Sequence, residues 1–183
     1  MYNEARIFLT DYASYNNGSQ FEFGHWVEIR KFTDADGLMK YIKEHFEKAD
    51  EKSPLDSPRE EIMITDFEGF PKEFYSESGM NFEKLYEFFE RAEACGYDEE
   101  VITAFSDLGN YDISYVDNFF EALEESYSGE FNSDEDFAQN LCEELGLIKE
   151  DYSFPYNHIN WESAARELMY DYYSSNGHYF RSI

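Results

Sequence analysis

Between Arg91 and Lys149 the chain contains no lysine or arginine, although aspartate and glutamate recur throughout that stretch. A sequence this one-sided folds only if its apolar residues form a core strong enough to overcome charge repulsion. Acidic chains poor in aromatics stay disordered. This chain is 20% aromatic and 42% hydrophobic, so it has apolar surface to bury despite a formal net charge of −27. Its 183 residues suffice for one ordinary domain or two to three small ones. The charge is unevenly spread: up to Pro58 there are 11 acidic and 7 basic residues. From Glu60 to Asp151 there are 27 acidic residues against 4 basic ones, Lys72, Lys84, Arg91 and Lys149.

This balance excludes some classes of function. Direct nucleic-acid binding needs cations or helix N-termini facing the phosphates, and an anionic surface opposes it. No apolar run approaches the roughly 18 residues of a membrane span. The N-terminus lacks the basic-then-apolar pattern of a secretory signal. Cys95 and Cys142 have no metal-type spacing and read as reduced thiols in a cytoplasmic protein.

The periodicity predicts an α+β fold. Arg6–Tyr12 and Trp26–Ile29 read as strands, with a turn at Asn16-Asn17-Gly18. Thr33 is the expected cap of a helix over Asp34–Lys48, with Leu38, Tyr41, Ile42 and Phe46 along one side. A loop is expected over Glu51–Arg59, and a third strand over Ile62–Phe67. Asn81 can cap a helix through Cys95, stopped by Gly96. Asp98 can cap another that ends at Gly109-Asn110. Further on, Ser114 is the expected cap of a helix over Tyr115–Leu123, and Glu125–Phe131 reads as a strand. Ser133 with Asp136 resembles a capping box for a helix through Leu145, stopped by Gly146. Asn160 caps a helix over Trp161–Tyr170. Tyr170–Tyr173 and His178–Phe180 flank a hairpin signature at Ser174-Ser175-Asn176-Gly177.

Sites for chemistry are weakly indicated. Asn132, Asp134, Asp136, Asn140 and Glu143 match positions 1, 3, 5, 9 and 12 of a calcium loop. The position that requires glycine holds Phe137, however, and a capped helix accounts better for the stretch. Carboxylate-dependent metal hydrolysis requires convergence in a cleft with a basic grip on substrate, and cations are scarce. His25, His45, His158 and His178 are scattered without ligand spacing. No catalytic residue, metal site or cofactor is expected.

The outward faces of the acidic helices are more informative. Glu83, Glu87, Glu90, Glu93, Glu99, Glu100 and Asp107 fall there, followed by Asp117, Glu121, Glu124, Glu125, Asp134, Glu135, Glu143 and Glu144. Like charges at this density cost helix stability at i,i+4, and an ordinary solvated surface mixes both signs. B-DNA carries one charge per ~1.7 Å of axis, so −54 on a dimer corresponds to roughly 90 Å of duplex. These carboxylates are candidate phosphate surrogates. The alternatives are a merely solubilising surface, an acidic module for another basic protein, or a carboxylate metalloenzyme.

Two segments carry a family resemblance. Ile7-Phe8-Leu9-Thr10-Asp11-Tyr12-Ala13-Ser14-Tyr15-Asn16-Asn17-Gly18, followed by Gly24-His25-Trp26-Val27, resembles the opening of the ArdA antirestriction family. Asn157-His158-Ile159-Asn160-Trp161-Glu162-Ser163-Ala164-Ala165-Arg166-Glu167-Leu168 resembles its antirestriction motif, with Asn160 where an acid is common. The resemblance implies an elongated homodimer of three small domains per subunit, here 1–75, 76–112 and 113–183, with the dimer contact in the last. It also implies a non-enzymatic mimic of bent B-form DNA that occupies the DNA groove of type I restriction–modification enzymes. Such proteins are usually encoded on mobile genetic elements; restriction would be inhibited, with modification a further candidate. Arg166, a lone cation amid carboxylates, is expected to form an internal or interface ion pair rather than to contact the enzyme.

Overall fold

The computed structural model describes residues 1–148 and 153–183, which form two compact units, Met1–Ala94 and Cys95–Ile183. Helices account for 49% and strands for 16%, in two small antiparallel sheets, so the fold is α+β.

In the first unit β1 (Arg6–Asp11) leads through α1 (Tyr12–Asn16) and α2 (Gln20–Phe23) into β2 (His25–Glu28). The long helix α3 (Ala35–Lys52), the strand β3 (Ile62–Glu68) and the helix α4 (Phe82–Ala94) follow. The sheet order is β2-β1-β3, with Ile7 opposite Val27 and Leu9 opposite Ile64. Ile7, Leu9, Val27 and Ile64 are buried, and α3 contributes Leu38, Ile42, Phe46 and Ala49 to the core. From α4 come Leu85, Phe88, Phe89 and Ala92, at the three- and four-residue spacing of one helix face. Phe88 packs against Tyr2 and Phe74 at 5.1 and 5.0 Å between ring centroids. Tyr86 donates to the Ile29 carbonyl at 2.8 Å, and burial pushes its phenol up to about 12.

Three local expectations shift. Asp34, not Thr33, caps α3: its carboxylate accepts from the Gly37 amide at 2.7 Å, being the stronger acceptor. The helix runs on to Lys52, into the stretch expected as loop, and ends just before Pro54 disfavours helix. Asn16-Asn17-Gly18 forms the expected turn but does not join β1 directly to β2, because α1 and α2 lie between them. Asp11 caps α1 by accepting from the Ser14 amide at 2.7 Å, and Gly18, at φ +75°, ends that turn.

One buried group in this unit escaped the sequence reading altogether. Arg59, the last residue of the expected loop, has a fully buried side chain. Its guanidinium donates to Asp50 at 2.6 Å, to the Ser53 carbonyl at 2.8 Å and to Ser14 Oγ at 2.9 Å. It lies 3.8 Å from the buried Asp11 carboxylate and 5.0 Å over the Phe23 ring. The loop is thus pinned to β1, α1 and α3 by one cation.

The second unit holds α5 (Glu99–Asp107), α6 (Val116–Ser126), β4 (Tyr127–Glu130), α7 (Asp134–Glu144), α8 (Trp161–Leu168), β5 (Tyr172–Ser175) and β6 (His178–Arg181). Its sheet order is β4-β6-β5. Asn176 and Gly177, at φ +51° and +83°, form the turn between the last two strands, as an Asn-Gly pair favours. The core is aromatic: Phe105 meets Phe119 and Phe180 at 5.1 Å each, and Phe137 stacks on Tyr179 at 4.5 Å. Ser114 does not cap α6. Its hydroxyl donates to Asp112 at 2.7 Å, leaving Tyr115 at the cap without a side-chain bond. The helix also runs to Ser126, past the expected Leu123, so Glu125 is helical and the strand starts at Tyr127. At the other end α8 stops at Leu168, two residues short of Tyr170.

Candidate anionic surface

On each acidic helix the core takes one face and leaves the carboxylates on the other. Of the fifteen carboxylates singled out, all are exposed except Glu87, Glu135 and Glu143, which are half-buried. On α4 two are tied to cations: Lys84 binds Glu87 at 2.8 Å, and Arg30, stacked over Phe89, pairs with Glu93. Glu83 and Glu90 on the same helix are exposed.

In the second unit Glu99 and Glu100 occupy the first turn of α5, Asp117 that of α6, and Asp134 and Glu135 that of α7. Carboxylates there are favoured by the helix dipole. Asp107, Glu124, Glu125, Glu143 and Glu144 sit in last turns, where the dipole opposes them. Asp117, Glu121 and Glu125 repeat at i,i+4 along α6 and repel. From Cys95 to Ile148 no lysine or arginine is present to offset this. In the rest of the unit the cations are Lys149, which lies outside the described residues, Arg166 and Arg181. Some carboxylates carry neutral hydrogen bonds: Glu143 accepts from Gln139 at 3.3 Å and Asp134 from Tyr179 at 2.6 Å. At the mouth of α6 the Ser114 hydroxyl and amide hold the Asp112 carboxyl below its ordinary value.

The segment that carries the motif resemblance forms α8 and its cap. Asn160 accepts from the Ser163 amide at 3.1 Å. Ile159, Trp161 and Leu168 are half-buried, Ala165 is buried, and α8 packs against α7. Glu162, Arg166 and Glu167 point outward, and Arg166 pairs with Glu162 at 3.0 Å, within its own helix.

One concavity, of about 700 Å³, is lined by Tyr12, Asn16, Asn17, the 54–58 segment, Glu60 and Glu61, with no histidine or cysteine. No three His, Cys, Asp or Glu side chains of the described residues form a group able to hold a metal ion. The calcium-loop register lies mostly on α7, with the Ser133 hydroxyl capping the Asp136 amide at 3.1 Å. No helix among the described residues is long and apolar enough to cross a membrane.

The class defined by these features is a helix-rich α+β protein whose helices from Cys95 to Ile148 present charge of one sign. The sequence profile of the antirestriction protein (ArdA) family matches residues 7–181, and the chain belongs to that family. An antirestriction role follows from membership. A comparison with curated proteins returns no match.

Proposed function

We propose that the protein is a non-enzymatic mimic of B-form DNA that occupies the DNA-binding groove of type I restriction–modification enzymes and so inhibits restriction. The observation that carries this reading is the run of carboxylates on α5, α6 and α7 with no lysine or arginine from Cys95 to Ile148. Fixed on rigid helices, these groups pair with the cations that grip phosphates in a DNA groove, and the groove's affinity for DNA then works for the inhibitor. The fifteen carboxylates named above are the proposed surrogates, acting collectively. The α8 motif is proposed to support the surface through its packing on α7.

The proposal retains the three-domain division at 1–75, 76–112 and 113–183 and a homodimer joined through the last part. Leu145, Leu147, Phe154 and Tyr170 support that contact, being large apolar side chains 63%, 62%, 80% and 83% exposed.

The test is binding to a purified type I modification complex, titrated with NaCl and competed with target duplex. The proposal expects mutually exclusive binding that weakens steeply with salt. Salt-insensitive binding that leaves DNA in place would overturn mimicry. Absence of binding, with capture of some other basic DNA-binding protein, would favour a general acidic interaction module.

A further inference from the structure

Most surface carboxylates sit at the ends of mobile side chains, and a mimic of a rigid polyanion loses affinity in ordering them. Asp134 is held differently. Tyr179, on β6 and 3% exposed, lies within the aromatic core of the second unit. Its ring stacks on Phe137 at 4.5 Å and meets Phe131 edge-on at 5.7 Å. The hydroxyl reaches out of that core to donate to Asp134 Oδ1 at 2.6 Å, 45 residues away in sequence. Phenylalanine would fill the same packing space, so the hydroxyl is accounted for by this one contact. Burial first, and then the bond to Asp134, raise the Tyr179 phenol above its ordinary value, so it stays a donor.

Asp134 is the first residue of α7, behind the Ser133 cap. Its backbone is fixed by the helix start and its side chain by Tyr179, while the residue remains exposed. We infer that Tyr179 is a positioning residue of the anionic surface, holding one oxygen of Asp134 so that the carboxylate is preoriented for a cationic group of the partner. The inference rests on the DNA-mimic reading for its partner and on the protein alone for its geometry.

The experiment uses the full chain and three variants: Tyr179→Phe, Asp134→Ala and the double. In competition against duplex for the type I complex, Tyr179→Phe should bind roughly two- to tenfold more weakly, the cost of ordering one side chain. Asp134→Ala should weaken binding at least as much, and the double no more than Asp134→Ala alone. Full retention of affinity in Tyr179→Phe overturns the inference. So does an equal loss in the Asp134→Ala background, because a purely structural role persists without the carboxylate. Side-chain scalar couplings give the second readout. Asp134 should occupy one χ1 rotamer in the unaltered protein and average among rotamers in Tyr179→Phe; averaging in both overturns the inference with no partner present. If the unaltered protein fails to compete with DNA, mimicry fails, and the couplings alone then decide whether Tyr179 positions Asp134.

Discussion

The two units deal with acidity in opposite ways. Met1–Ala94 carries 21 acidic and 11 basic residues, and Cys95–Ile183 carries 20 against 3. The first unit places cations beside its carboxylates. Arg6 meets Glu68, Arg30 meets Glu93 and Lys84 meets Glu87, and Arg59 is buried between Asp11 and Asp50. The second unit has Arg166 with Glu162, both exposed, and covers its helices with carboxylates that repel. The physical lesson is that acidic composition is not one property. In the first unit charge is internal architecture; in the second it is held outward at the expense of stability, and the aromatic core of Phe105, Phe119, Phe137 and Phe180 offsets that.

The largest effect should come from breaking the first unit's ionic core. Arg59→Ala leaves Asp11 and Asp50 without their cation and should cost about 3–5 kcal/mol, read as the urea midpoint of amides protected in β1 and α3. A loss below 1 kcal/mol would show that the buried pair is not what anchors the 53–59 segment.

Next in size is a sign reversal between units. Replacing Asp117, Glu121, Glu124 and Glu125 on α6 by their amides should stabilise the second unit by about 0.5–2 kcal/mol through relief of repulsion. Glu87→Gln with Glu93→Gln should instead slightly destabilise the first unit. Amide hydrogen exchange resolves the two units, and equal signs in both would break the comparison. Under the proposed function, the α6 replacements should also weaken competition with DNA more than the α4 pair does.

Acid separates the units further. Burial, with His25 and Lys48 acting in the same direction, lowers His45 below 6.5, against the hydrogen bond to the Phe23 carbonyl. The native fold therefore favours neutral His45. Its contribution is present above pH 6.5 and lost as pH falls from there through the lower folded value. Asp112 is lowered from 3.8, so its contribution is full above pH 3.8 and lost only below it. Between pH 7 and 5 exchange should rise first around α2 and the middle of α3; onset at α6 instead would contradict the assignment.

The smallest effect sharpens the contrast. Arg166→Ala should change stability by only a few tenths of a kcal/mol, as for exposed i,i+4 pairs. A thermal melt that moved as far as that of Arg59→Ala would mean that the α8 pair does more than its exposure allows.

Much of this was legible in the sequence, and the successes share a cause. Ser133 capping Asp136, Asn160 capping Ser163, the Asn176-Gly177 turn and the stops at Gly96, Gly109 and Gly146, all at positive φ, are fixed by contacts a few residues long. The errors at Thr33 and Ser114 are also local: Asp34 takes the capping role from Thr33, and Asp112 draws the Ser114 hydroxyl away, leaving α6 without a side-chain cap. The outward placement of the acidic residues follows from helical period alone, because the apolar residues claim the other face.

What the sequence determined by itself is therefore the longer helices, the strands and the sign of the surface; the short α1 and α2 were not legible in it. The tertiary structure decided which charges are spent inside the protein. Arg30 reaches Glu93 across 63 positions, Tyr179 reaches Asp134 across 45, and Arg59 reaches Ser14 across another 45. No period or cap encodes such partners, because they meet only when separate apolar faces dock. At that point a residue read as the end of a loop becomes the buried centre of a unit, and one carboxylate among many becomes fixed.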